Sequence, residues 1–197
     1  MSVQSKVLSV SLPKRLVWVL AIAGFGGFFG IPFHLLQAGS LWSPLFIPIG
    51  IACALVELPV AILVGLLMPI LSGLQTGMPS FTPPFVWMVA AEATIYGLMI
   101  SLCRLKWNFS RPSSVLAGVL SGKLTLFLYI FLLGHPAPGL KYGTFLSRHA
   151  DGTLWNLLPA WNSVLSGLPG SVLALVVVPF IVKLIEEHVD HDNLSAA

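Results

Sequence analysis

Between Leu16 and Ile185 the chain runs through five apolar blocks, each about 20 residues or longer, with few charges inside them. They run from about Leu16 to Leu36, Pro44 to Leu74, Pro84 to Leu105, Ser113 to Gly134 and Leu157 to Ile185. No other feature constrains the fold as much, because a chain of 197 residues with blocks of this kind has little left with which to build a wetted surface. Hydrophobic residues make up 56% and charged residues 9%, against roughly 25% charged in a soluble domain. Mean hydropathy is +0.92. Disordered, collagen-like, disulfide-scaffold and ordinary cytosolic classes are excluded. The expected class is an all-α integral membrane bundle in a single membrane domain spanning 1–197. The first block is too long for a cleaved signal peptide and no small-residue cleavage site follows it.

Charge sets the helix count. Lys6, Lys14 and Arg15 precede the first block, and Arg104, Lys106 and Arg111 separate the third from the fourth. Short cytoplasmic loops carry an excess of Lys and Arg. A single helix over Pro44–Leu74 would put these two clusters on opposite sides. Two short helices turning near Glu57–Leu58–Pro59 put both inside, and Pro48, Pro59 and Pro69 interrupt the block. The expectation is therefore six transmembrane helices within 16–185, with both termini cytoplasmic: a segment 1–15 and an acidic tail 186–197. The outward loops are then about Gln37–Ser43, Gln75–Pro83 and His135–Asn156. The six tryptophans fall near helix ends or in loops, as in an interfacial aromatic belt. The net charge of +3 comes from scattered residues, so no nucleic acid partner is expected.

Glu57, Glu92 and Lys123 are the ionisable residues placed inside apolar blocks. Such residues are costly in a bilayer and mark function by default. Tyr96 lies one turn after Glu92, on the same helix face. The set reads either as the polar corner of a ligand pocket or as an interhelical latch in which Lys123 pairs with Glu92. Glu57, at the proposed turn, reads as half solvated. The stretch 74–84 holds three prolines and a glycine, which stiffen it. Gln75, Thr76 and Thr82 offer hydrogen bonds, and Met78 and Phe81 offer apolar surface. A stiff loop loses little entropy on binding, so these five residues join Glu92, Tyr96 and Lys123 as the expected ligand-binding set. In the first block, Ala23 and Gly27, and Gly26 and Gly30, form small-x-x-x-small rows. These suit close helix packing in lipid, against this chain's own bundle or another membrane subunit. Cys53 and Cys103 read as small core residues. The five histidines are dispersed, and no Walker A loop, nucleophile elbow or HExxH motif occurs, so neither metal nor cofactor is expected.

Several stretches, in order, resemble the substrate-binding S components of energy-coupling factor (ECF) vitamin transporters. The run 64–79, Val-Gly-Leu-Leu-Met-Pro-Ile-Leu-Ser-Gly-Leu-Gln-Thr-Gly-Met-Pro, resembles the third-helix and loop region of that family. Glu92-Ala93-Thr94-Ile95-Tyr96-Gly97-Leu98 is similar to its Glu-Leu-Ala-x-Tyr-Gly-Leu stretch. Gly122-Lys123-Leu124 is similar to its Gly-Arg-Leu, with lysine for the commoner arginine. Gly167-Leu168-Pro169-Gly170 and Val178-Pro179 resemble parts of its sixth helix. The glycine rows of the first block depart from the Ala-x-x-x-Ala common in the family.

The resemblance implies a multi-pass protein of a prokaryotic plasma membrane that captures a vitamin or related micronutrient from outside. It would work with a membrane coupling subunit and two cytosolic ATPase subunits, toppling in the bilayer to deliver its ligand. It would not be an enzyme. Two other classes stay open: a small membrane enzyme acting on a lipid or polyprenyl substrate, with Glu92 and Lys123 as acid and base, and a structural subunit of a membrane complex.

Overall fold

A computed structural model describes residues 45–76, 85–133 and 157–195. The expected first helix, with Ala23, Gly26, Gly27 and Gly30, lies outside the described residues, as do Met78, Phe81 and Thr82. The described secondary structure is entirely helical: α1 Phe46–Leu55, α2 Leu58–Thr76, α3 Phe85–Leu105, α4 Arg111–Leu133, α5 Leu157–Ser166 and α6 Leu168–Ser195. Among the described residues, three segments are long and apolar enough to cross a membrane: Val86–Leu105, Arg111–Leu132 and Ser163–His188.

The Pro44–Leu74 block is indeed divided. Helix α1 ends at Leu55, Val56 is extended, and α2 begins two residues later. Pro59 lies in the first turn of α2, where its missing N–H costs nothing. The break exposes a carbonyl that water would satisfy at a surface. Here the Ser101 hydroxyl of α3 donates to the Val56 carbonyl at 2.9 Å. Pro69, expected to interrupt the block, sits inside an unbroken α2. Apolar bundles tolerate internal proline because neighbouring groups re-satisfy the freed carbonyl.

The last block, read from sequence as one helix, is two. Pro169 cannot donate back to residue 165 and its ring crowds that carbonyl, so the chain turns at Gly167. Both the amide and the hydroxyl of Ser171 then donate to the Gly167 carbonyl. At its far end α6 continues to Ser195, through the residues read as a tail.

Helix α1 is apolar all round and buried from Ile47 to Ala54, as an element enclosed by others must be. It packs on α3, α6 and α2, while α3 lies between α2 and α4. The core gathers Ile49, Cys53, Ala61, Val64, Ala93, Tyr96, Ile100, Val115 and Val178. The outer faces are as apolar as the core. Leu116, Leu120, Leu124, Leu128 and Leu132 form an exposed row on α4, and Val172, Val176, Phe180 and Leu184 form one on α6. Residues four apart share a helix face, so these are continuous apolar stripes of the kind that hydrocarbon covers. Helix α3, 21 residues long, spans about 32 Å, close to the thickness of a bilayer core, and the half-exposed Trp87 and Trp107 lie near its two ends.

Candidate functional site

Glu92, Tyr96 and Lys123, singled out from the sequence, come together in one cleft. Glu92 and Tyr96 lie one turn apart on α3, and Lys123 reaches them from α4. Its ammonium donates to Glu92 Oε1 at 2.7 Å and lies 5.5 Å from the centroid of the Phe46 ring, over its face. Phe46 meets Tyr96 edge-on, ring centroids 5.3 Å apart. The cleft is narrow, with free space for little more than one water molecule, and is completed by Val119, Gly122, Ser171 and Ala174.

The close approach of α3 and α4 at this point depends on Gly122. A Cβ there would stand 3.2 Å from Tyr96 Cβ and 3.4 Å from the Glu92 carbonyl. Gly118, one turn earlier, faces Ile100 and the Tyr96 carbonyl in the same way. This Gly-x-x-x-Gly row brings Lys123 within reach of Glu92. At the other end of the phenol, a Cβ on Gly50 of α1 would collide with the Tyr96 hydroxyl. The hydroxyl is buried and has no hydrogen-bond partner among the described residues. Buried polar groups are nearly always satisfied, so this one is an exception that needs a cause.

The cleft lies toward one end of the bundle. Phe46 opens α1, Ser171 is in the first turn of α6, and Glu92 lies in the first half of α3. Gln75 and Thr76 end α2 at the end where α3 begins. Around the opposite end, α3, α4 and α6 are tied by a second charged group. The Glu186 carboxylate accepts from the Arg104 guanidinium and from Arg111 Nε, the latter at 2.6 Å. Twelve residues of helix separate Arg104 from Glu92, or about 18 Å. Glu186 was expected in a solvated tail. It is 3% exposed, because α6 continues past Ile185 and turns this position toward the α3–α4 turn. Arg104 takes Oε1 and Arg111 takes Oε2, so each carboxylate oxygen accepts from a different guanidinium in a charge-assisted hydrogen bond.

Sequence reading missed Phe46, Val119, Gly122, Ser171 and Ala174 as cleft residues. Gly122 had a usable signal, since Gly118 and Gly122 repeat the spacing noticed in the first block. Phe46 had none beyond being an aromatic near the start of an apolar run. Cys53 and Cys103 are buried free thiols. No set of three His, Cys, Asp or Glu side chains converges among the described residues. Comparison with protein-family profiles, with curated proteins and with solved structures finds no match to this chain.

Proposed function

We propose that this chain is an integral membrane protein that binds a small molecule in the Glu92–Tyr96–Lys123 cleft, as the substrate-binding subunit of an ECF-type importer for a vitamin or related micronutrient. The observation that carries the reading is the buried Tyr96 hydroxyl, without a partner among the described residues, beside a buried ion pair that lines a cleft. A latch that only holds helices together accounts for the ion pair. It accounts for neither the cleft nor the orphan hydroxyl. Ligand pockets pair apolar walls with a few convergent polar groups, as here.

The ordered resemblance to S components supports the finer reading. In it the chain has six spans and both termini are cytoplasmic. The cleft faces the outer side with the 75–82 loop, and a membrane coupling subunit with two ATPase subunits supplies the energy. The Ala23/Gly27 and Gly26/Gly30 rows are the proposed docking face. The outward apolar rows of α4 and α6 are lipid-facing in this arrangement.

The test is affinity purification in mild detergent from the native membrane, followed by mass spectrometry of proteins and of extracted small molecules. Two ATPases, a membrane subunit and a small molecule lost in Glu92→Gln are the expected result. Gly27→Leu should keep the small molecule and lose the protein partners. Absence of ATPases from the wild-type preparation refutes the importer, and absence of any retained or added ligand refutes the cleft's role.

A further inference from the structure

The cleft already holds a cation. The Lys123 ammonium sits between a carboxylate, 2.7 Å away at Glu92 Oε1, and the face of an aromatic ring, 5.5 Å from the Phe46 centroid. A carboxylate and an aromatic face are the groups that recognise a positively charged ligand. The two members of the ion pair are unequal in reach. Glu92 is short and its side chain is 6% exposed; Lys123 has four methylenes and a side chain that is 13% exposed, and both line the cleft. Long basic side chains can swing the charged end toward an interface while the stem stays on apolar surface. The carboxylate has no such exit.

From this asymmetry we propose that Lys123 is a tethered stand-in for the ligand, and that the cleft takes a small organic cation, an alkylated or protonated nitrogen with a flat apolar body. The inference rests on the reading of this cleft as a ligand site. A cation entering between Glu92 and Phe46 replaces the ammonium, which moves out, and the buried charge stays balanced throughout. An anionic ligand on Lys123 would face the Glu92 carboxylate across the same cleft. A neutral one would leave the ion pair closed and the ring face occupied. With the Lys123 side chain in place the cleft has room for little more than a water molecule, so a ligand enters only as that side chain withdraws.

The consequence runs against ordinary expectation: deleting the positive residue of the pair should tighten binding. A cation must break the Lys123–Glu92 bond to enter, so Lys123→Met should strengthen binding by about ten- to a hundredfold, the worth of one charged hydrogen bond. The probes are three near-isosteric rings: 1-methylnicotinamide (cation), nicotinamide (neutral) and nicotinate (anion). The readout is protection of the purified full-length protein against thermal unfolding. The cation alone should protect, more strongly in Lys123→Met, more weakly in Phe46→Leu, and not at all in Glu92→Gln. Equal or greater protection by nicotinamide or nicotinate, loss of protection in a folded Lys123→Met, or protection by none of the three overturns the proposal. If Lys123→Met does not fold, Phe46→Leu decides, and unchanged protection by the cation overturns it. A neutral or anionic molecule retained through purification, and lost in Glu92→Gln, would sink the cation class yet leave the ligand site standing. A protein that retains nothing and responds to no probe sinks both.

Discussion

Glu186 and Glu187 are consecutive carboxylates in one helix, and they should behave as different residues. The Glu186 side chain is 4% exposed and accepts from Arg104 and Arg111; that of Glu187 is 54% exposed and has Lys183 at 3.6 Å. Removing one member of a buried ion pair costs about 3–5 kcal/mol, because the partner stays buried and uncompensated. Glu186→Gln keeps the shape and one acceptor oxygen but turns an amide toward a guanidinium. The expected cost is therefore at the low end, about 3 kcal/mol, from a total that for most domains is roughly 5–15 kcal/mol. For a chain of this size that lowers Tm by roughly 6–12 °C. Glu187→Gln removes an exposed i,i+4 pair worth about 0.5 kcal/mol or less, a shift of roughly 1–2 °C. Both variants are melted in the same detergent. The arginine supplies a second control: in Glu186→Gln/Arg104→Met the more deeply buried of the two guanidinium groups left without their carboxylate is gone, so the double variant should be at least about 1 kcal/mol more stable than additivity predicts. Equal shifts for the two glutamates, or strict additivity with Arg104, would refute the three-helix clamp.

Two further outcomes test the fold. Gly65→Ala should lower the melting temperature by the equivalent of about 1–3 kcal/mol, the usual cost of overpacking. The new Cβ would stand 2.5 Å from Thr94 Cα and 2.8 Å from the Ala93 carbonyl, and backbone cannot turn aside; an unchanged melt would mean that α2 and α3 are further apart. For topology, single cysteines at Ser80 and Ser147, with Cys53 and Cys103 removed, should react with an impermeant thiol reagent on intact cells, and one at Ser110 only after permeabilisation. Outside labelling of Ser110 with Ser80 protected would overturn the six-span arrangement.

What could be read from the sequence divides by range. The split of the Pro44–Leu74 block was legible from charge: the basic clusters on either side of it come to one side of a membrane only if the block turns back, and Pro59 beside Glu57 marks the place. The continuity of α2 through Pro69 was not. Whether a proline breaks a helix in an apolar bundle depends on what neighbouring helices offer the freed carbonyl, and no window of sequence holds that information. The same limit separates the two carboxylates that matter most. Glu92 announced itself by standing alone among alanines in a membrane-length run, and its partner Lys123 stood equally alone in the next one. Glu186 was hidden by company. It sits in Glu186-Glu187-His188, which reads as the start of a polar tail, although α6 points this one position at Arg104 and Arg111.

The cleft extends the argument to function. Isolated charge in an apolar helix tells where to look, because its cost demands a partner. It does not tell whether the partner is permanent. That question turns on geometry that only the folded chain supplies: which member of the pair can leave, and what the remaining one then faces. Glu92 cannot leave. With Lys123 swung away it would remain in the lining of the cleft that Phe46 and Tyr96 share. A latch and a ligand site have the same two residues in sequence. They differ in whether the lysine is the lasting occupant of that position, and so in the sign of the change in affinity when it is removed.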